Sequence, residues 1–292
     1  MCDEWTESDN AAFTVNRRQF AAIGASAAAL AVVPGCMAGP APASKAMKTV
    51  SRGVSIATPD GKADAFFVHP KAGKHPAVIL WPDIAGLREA YRTMGTRLAA
   101  AGYAVLVVNQ YYRSSPAPVL KDFAEWRTPE GQDKLKPMIA AITPAGTVRD
   151  AAAFVGWLDA QAEVDTARRI GSAGYCMGGP FTVRTALANP ARVGAAASFH
   201  GANLVNDTPD SPHALLGRTR ASYLFAIAQN DDARSPTDKD KLREAAAAAG
   251  RPAEIEVYPA QHGWCTIDAP VYDQPQAEKA WGRMLALFAG AL

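Results

Sequence analysis

Cysteine is scarce in this chain. Its 292 residues include four, Cys2, Cys36, Cys176 and Cys265. None forms a CxxC pair or a finger-like spacing, which argues against a disulfide framework or a zinc module at this size. Charge of one sign is lacking too. Thirty basic and 28 acidic residues leave a net charge of +2, which gives no reason to expect nucleic acid or an anionic membrane as partner. A long apolar run is also missing. Ala21–Val33 spans 13 residues, short of the roughly 20 that cross a bilayer. No internal repeat appears. Histidine is sparse as well, with five in all, and only His200, His213 and His262 follow Cys176.

The first 45 residues read as a leader. Arg17-Arg18-Gln19-Phe20 precedes the Ala-rich run, and no other charge follows until Lys45. Paired arginines before a short apolar segment read as an export signal of the twin-arginine (Tat) type, whose machinery would be a partner. Val33-Pro34-Gly35-Cys36 resembles a lipoprotein processing box, with Pro34 departing from the usual pattern. Either Cys36 is acylated and anchors the chain to lipid, or a peptidase cuts near Ala38 or Ala43. Both routes predict a periplasmic protein: leader and linker over 1–45, one domain over 46–292.

In that domain, strand and helix patterns alternate. Val54–Thr58 and Ala63–His69 flank Pro59-Asp60-Gly61 and predict a hairpin. Ala77–Trp81, Tyr103–Val108, Ile170–Gly174, Gly194–Phe199 and Ser222–Ala228 are short apolar runs suited to strands buried on both faces. Glu254–Tyr258 alternates as a last strand. Helical spacing occupies residues 88–101, 147–160, 183–188, 236–249 and 276–291. The pattern predicts an α/β class: a mostly parallel sheet with helices on both faces and an N-terminal antiparallel hairpin. Arg113–Ala145 holds Pro116, Pro118, Pro129, Pro137 and Pro144 and predicts short helical turns across the mouth of a site.

Gly174-Tyr175-Cys176-Met177-Gly178-Gly179 lies between a predicted strand and a predicted helix. It has the nucleophile-elbow pattern with cysteine in the serine position. Glycines on either side allow strand and helix to close together. A thiol at the start of a helix gains from the dipole and free N–H groups, which favour thiolate. The Met177 N–H points where an oxyanion would form. Hydrolases of this kind order their groups nucleophile, acid, base. His262 follows the last strand, where the base belongs. The acid should follow Ser222–Ala228, and Asp231 and Asp232 both stand there. Counting from the strand favours Asp231; counting back from Pro236 favours Asp232. Strand register is the firmer guide, which leans toward Asp231. His200 ends a strand and reads as a hydrogen-bonded rim histidine or a substrate contact. Cys265 reads as packing.

The elbow, with Trp81-Pro82-Asp83-Ile84-Ala85-Gly86-Leu87-Arg88 and His262-Gly263, resembles the dienelactone hydrolase family of α/β-hydrolases over about residues 50–290. That resemblance implies a hydrolase cleaving a small ester or lactone through a thioester acyl-enzyme, with no metal or organic cofactor. It also implies that Asp83 contacts the resting nucleophile, that Ile84 supplies the second oxyanion N–H, and that Tyr111 and Arg113 bind substrate. The chain departs from the family's dienelactone-cleaving members after His262, where Gly263–Ile267 contains no arginine. The resemblance therefore carries the chemistry further than the named substrate. A general carboxylesterase or thioesterase would use the same residues with a different pocket. A non-catalytic exported binding protein on the same fold is the remaining alternative.

Overall fold

A computed structural model describes residues 9–10 and 46–292. The predicted signal run and Cys36 lie outside the described residues. Among those described, no helix is long and apolar enough to cross a membrane.

The chain opens with β1 (Thr49–Thr58) and β2 (Gly61–Pro70), paired antiparallel from Thr49 opposite Pro70 to Thr58 opposite Gly61. The predicted hairpin was shorter because β1 is largely solvated and shows little apolar alternation. Six further strands follow: β3 (Ala77–Trp81), β4 (Ala104–Val108), β5 (Ile170–Tyr175), β6 (Val193–Phe199), β7 (Ser222–Ala228) and β8 (Ala253–Tyr258). They form one sheet in the order β1-β2-β4-β3-β5-β6-β7-β8. β2 runs antiparallel to β4, and every pair beyond is parallel. β3 and β4 are buried at every residue, as their unbroken apolar runs require.

Helices cover both faces. On one lie α1 (Glu89–Ala100) and, at the chain's end, α9 (Gln274–Ala291), which bury Tyr91, Met94, Leu98, Met284 and Phe288. On the other lie α4 (Pro144–Asp159), α5 (Gly179–Ala188) and α8 (Asp238–Ala248), which bury Phe154, Leu158, Phe181 and Leu242. Each such side chain contributes about 1.5–3 kcal/mol by leaving water.

The proline-rich connection is more ordered than its composition predicts. It holds α2 (Phe123–Trp126) and the twelve-residue α3 (Pro129–Ala140). Pro129 and Pro144 start helices rather than break them. Each takes the first helical position, where the missing N–H costs nothing. Thr128 and Thr143 cap the two starts by accepting from the Gly131 and Gly146 N–H groups, both at 3.0 Å. Two short helices, α6 (Pro212–Leu215) and α7 (Gln229–Arg234), flank β7.

Candidate active site

All parallel strands point the same way, so β3, β5, β6, β7 and β8 deliver their ends to one rim. Cys176 leaves β5 with φ +52°, a left-handed conformation that is strained for a residue with a Cβ. The neighbouring glycines have no substitute. A Cβ on Gly174 would stand 2.1 Å from the Gly178 carbonyl oxygen, and one on Gly178 would stand 2.4 Å from that of Trp81. Cys176 is 1% exposed.

Beyond β8, His262 is held at both ends of its geometry. Its backbone N–H donates to Asn230 Oδ1 at 2.8 Å, and its ring Nδ1 lies 2.7 Å from Asp231 Oδ2. The Cys176 thiol is within hydrogen-bonding reach of the same ring. Burial opposes charge on this imidazole, yet the Asp231 carboxylate and Cys176 outweigh it and push the pKa up to about 10. Asp232 goes elsewhere. Lys239 Nζ donates to its two oxygens at 2.7 and 2.9 Å. The structure thus brings Cys176, His262 and Asp231 together and leaves Asp232 in a peripheral ion pair. One helical turn decides it: Asp231 and Asp232 both sit in α7, about 100° apart around its axis.

Ile84 lies at the second position of a turn closed by the Gly86 N–H to the Asp83 carbonyl at 3.0 Å. Its N–H is left out of that turn's bond. Met177 is the second residue of the helical turn Cys176–Gly178, where N–H groups lack intrahelical partners. Tyr111 joins the two residues. Its hydroxyl donates to the Ile84 carbonyl at 2.7 Å and lies 3.8 Å from Met177 Sδ. The Gln110 amide supports the same loop by donating to the Asp83 carbonyl at 2.7 Å.

Two expectations change. Asp83 does not spend its carboxylate on the nucleophile. Arg88 binds it bidentately at 2.7 and 3.0 Å, and the Ala85 N–H donates to it at 2.9 Å. Arg113 is likewise committed. Asp150 takes it bidentately, both bonds at 2.8 Å, and Asp60 accepts a third at 2.5 Å. Three hydrogen bonds to two carboxylates thus engage the Arg113 guanidinium. Cys265 is buried, and burial pushes its thiol well above the ordinary value, as suits packing rather than catalysis.

Sequence reasoning missed Arg88 as a working residue. It is 1% exposed and also donates to Asp268 at 2.7 and 2.8 Å. One cation therefore joins the loop after β3 to the loop after His262. The same Asp268 accepts from the Phe123 N–H at 3.2 Å, which brings in the connection that covers the site. Val119, Leu120, Phe123, Trp126 and Leu135 pack over Ile84, Tyr111 and Cys176. Beside Met177 a cavity of about 490 Å³ runs along Ile139, Ile142, Phe181 and Arg184.

A mostly parallel eight-stranded sheet, with a cysteine at a strained turn after β5 and an Asp–His pair beyond β7 and β8, defines an α/β-hydrolase. Comparison with known proteins narrows the class. The model of the Dienelactone hydrolase family matches residues 63–292, and the chain belongs to that family. A Salmonella typhi protein named "Putative carboxymethylenebutenolidase" is 30% identical over 248 residues, covering 82% of this chain and 87% of that protein. A protein of the same name from Methylorubrum extorquens is 28% identical over 237 residues, 79% of this chain and 78% of that one. Among solved structures, the "Putative Dienelactone Hydrolase" of Klebsiella pneumoniae superposes with a TM-score of 0.71 at 27% identity, covering 83% of this chain and 99% of that one. The chain is a carboxylic ester hydrolase of the dienelactone hydrolase kind.

Proposed function

We propose that this chain hydrolyses a small ester or lactone through a Cys176–His262–Asp231 triad and a thioester acyl-enzyme. His262 takes the proton of Cys176 while Asp231 holds the ring and offsets the charge it gains. The thiolate attacks the carbonyl carbon, and the N–H groups of Met177 and Ile84 receive the oxyanion. The C–O bond to the leaving alcohol breaks, and His262 returns the proton to that oxygen. Water activated by His262 then cleaves the thioester, releasing the acid and restoring the thiol. An amide would serve poorly, because thiolate leaves more readily than amide nitrogen and the intermediate would collapse backwards.

The observation that carries this reading is the Asp231–His262 bond of 2.7 Å, made beside a thiol held at φ +52°. The cavity beside Met177 is the candidate seat of the substrate's body. Arg184 at its wall has an unpartnered Nε, with Asp210 as its charged neighbour in the same wall. It therefore replaces Arg113 as the candidate for an anionic substituent.

Turnover of p-nitrophenyl acetate and of simple unsaturated lactones, with mass spectrometry of the trapped enzyme, tests the mechanism. The expected adduct is one acyl group on Cys176, absent in Cys176→Ser. Turnover undiminished in Cys176→Ala would refute it. Long acyl thioesters preferred over lactones would move the reading to a thioesterase. An export leader completes the proposal: a periplasmic enzyme, tested by fractionation, with lipid labelling lost in Cys36→Ser marking an acylated Cys36 and its absence in wild type marking cleavage near Ala38 or Ala43.

A further inference from the structure

His200 is a buried ionisable side chain for which the triad has no use. Parallel pairing sets Tyr175 of β5 opposite Phe199 of β6. The next residue on each strand is Cys176 on one and His200 on the other, so the two leave adjacent strands side by side, about 5 Å apart. Both leave with positive φ, +52° and +40°, and the Ala202 N–H beyond His200 donates to the Cys176 carbonyl at 3.1 Å. Two strained non-glycine residues in neighbouring turns mark a place that the fold holds against local preference.

The ring is buried rather than at the rim that its sequence position suggests. It is 1% exposed and packs 4.8 Å from the His262 ring, 5.2 Å from Trp264 and 6.1 Å from Tyr175. Neither nitrogen meets a partner in ordinary donor–acceptor geometry, yet the Cys176 thiol lies near enough to act on the ring as a hydrogen-bonding neighbour. Buried polar groups are nearly always satisfied, so a ring this deep with the Cys176 sulfur in reach points to that sulfur as its partner.

On the triad reading given above, we propose that His200 is a second imidazole acting on Cys176, donating a ring N–H to the sulfur once the thiol has lost its proton. The proton itself passes from Cys176 Sγ to His262, and His200 neither gains nor loses one. A neutral ring suits this task. Burial lowers its pKa first; the Cys176 sulfur raises it, and the charge on His262 lowers it again. The ionisable groups around it are Cys176 from the β5 turn, Asp231 from α7, His262 from the β8 loop and Tyr175. Asp83 and Arg88 near the β3 turn neutralise each other. A charged His200 would oppose the imidazolium 4.8 Å away, whereas a neutral donor steadies the thiolate at no electrostatic expense to His262.

The test uses the full chain as wild type, His200→Phe, His200→Gln and His262→Gln. The rate of Cys176 alkylation by iodoacetamide is followed against pH, with peptide mapping to separate Cys265. A charge-assisted hydrogen bond corresponds to about one to two pH units. His200→Phe should raise the alkylation midpoint by that amount and lower kcat more than it raises KM. His200→Gln, which keeps an N–H donor, should recover most of the shift. An unchanged midpoint in His200→Phe overturns the proposal. A shift that His200→Gln does not reverse also overturns it, since that marks lost packing. Should the Phe variant not fold, ¹⁵N signals of the wild-type ring decide: a His200 N–H indifferent to the thiol's titration is equally fatal. His262→Gln reads the triad separately. Wild-type midpoint and turnover in that variant would sink the triad, whatever the His200 variants do.

Discussion

Cys176, Asp231 and His262 stand at or just beyond the ends of strands, whereas Phe123, Trp126 and Leu135, which close over Cys176, come from the long connection after β4. The first group is fixed by a sheet whose register admits little slip. The second is fixed by packing and a few polar ties, such as the Phe123 N–H to Asp268. Strand ends suit chemistry, which needs atoms held to a fraction of an ångström. The connection suits selection of substrate, because its apolar contacts can change without moving the thiol.

Substitutions can break this contrast, and the largest effect falls at the strand ends. Asp231→Asn should lower kcat by about 10²–10⁴-fold, while Asp232→Asn, which loses only Lys239, should stay within a few-fold in the same ester assay. Equal losses would mean that α7 offers both carboxylates to His262.

Arg88→Met comes next. It leaves Asp83 buried beside no cation, and breaking a buried pair from one side costs about 3–5 kcal/mol. Urea unfolding should report that loss. Turnover should fall as well, because the loops after β3 and β8 lose their common tie.

The cover should respond differently. Trp126→Ala removes a 6%-exposed side chain, and losses of about 3–5 kcal/mol are typical in a rigid core. The connection can relax, so a smaller loss is expected. Its larger signature should be faster alkylation of Cys176 and a raised KM with kcat nearly kept. A collapse of kcat instead would show that the cover, like the strand ends, holds the reacting atoms.

A further effect is on stability against pH. His262 is raised from 6.5 to about 10. A folded-state pKa above the unfolded one stabilises fully below about 6.5 and loses that contribution as pH rises through about 10. Wild type should therefore converge on His262→Gln in urea midpoint between pH 7 and 10.

The strand ends were largely legible in the sequence, and the cover was legible only as short helical turns across the mouth. Apolar runs of five to seven residues named the parallel strands, and Gly174 and Gly178 around Cys176 marked the turn. Loop order then left His262 as the base. The choice between Asp231 and Asp232 needed the helical phase of α7, which no local pattern displays. Arg88 was visible as a letter but not as a partner, because its second carboxylate, Asp268, lies 180 residues away. His200 was legible as a strand end, but its closeness to the Cys176 sulfur was not. The cover was read as short helical turns, and the twelve-residue length of α3 was not foreseen, because Pro129 at its first position and Pro137 within it gave no clear helical pattern.

The Arg88 trio also constrains how this protein can change over generations. One guanidinium answers two acids, and three separate segments of chain depend on it. If Arg88 alone mutates, two negative charges are stranded; if either acid alone mutates, half of a cation is. Drift at these three positions is therefore tied together. A descendant that dispensed with the trio would have to pass through a weakened ancestor or replace all three residues in concert.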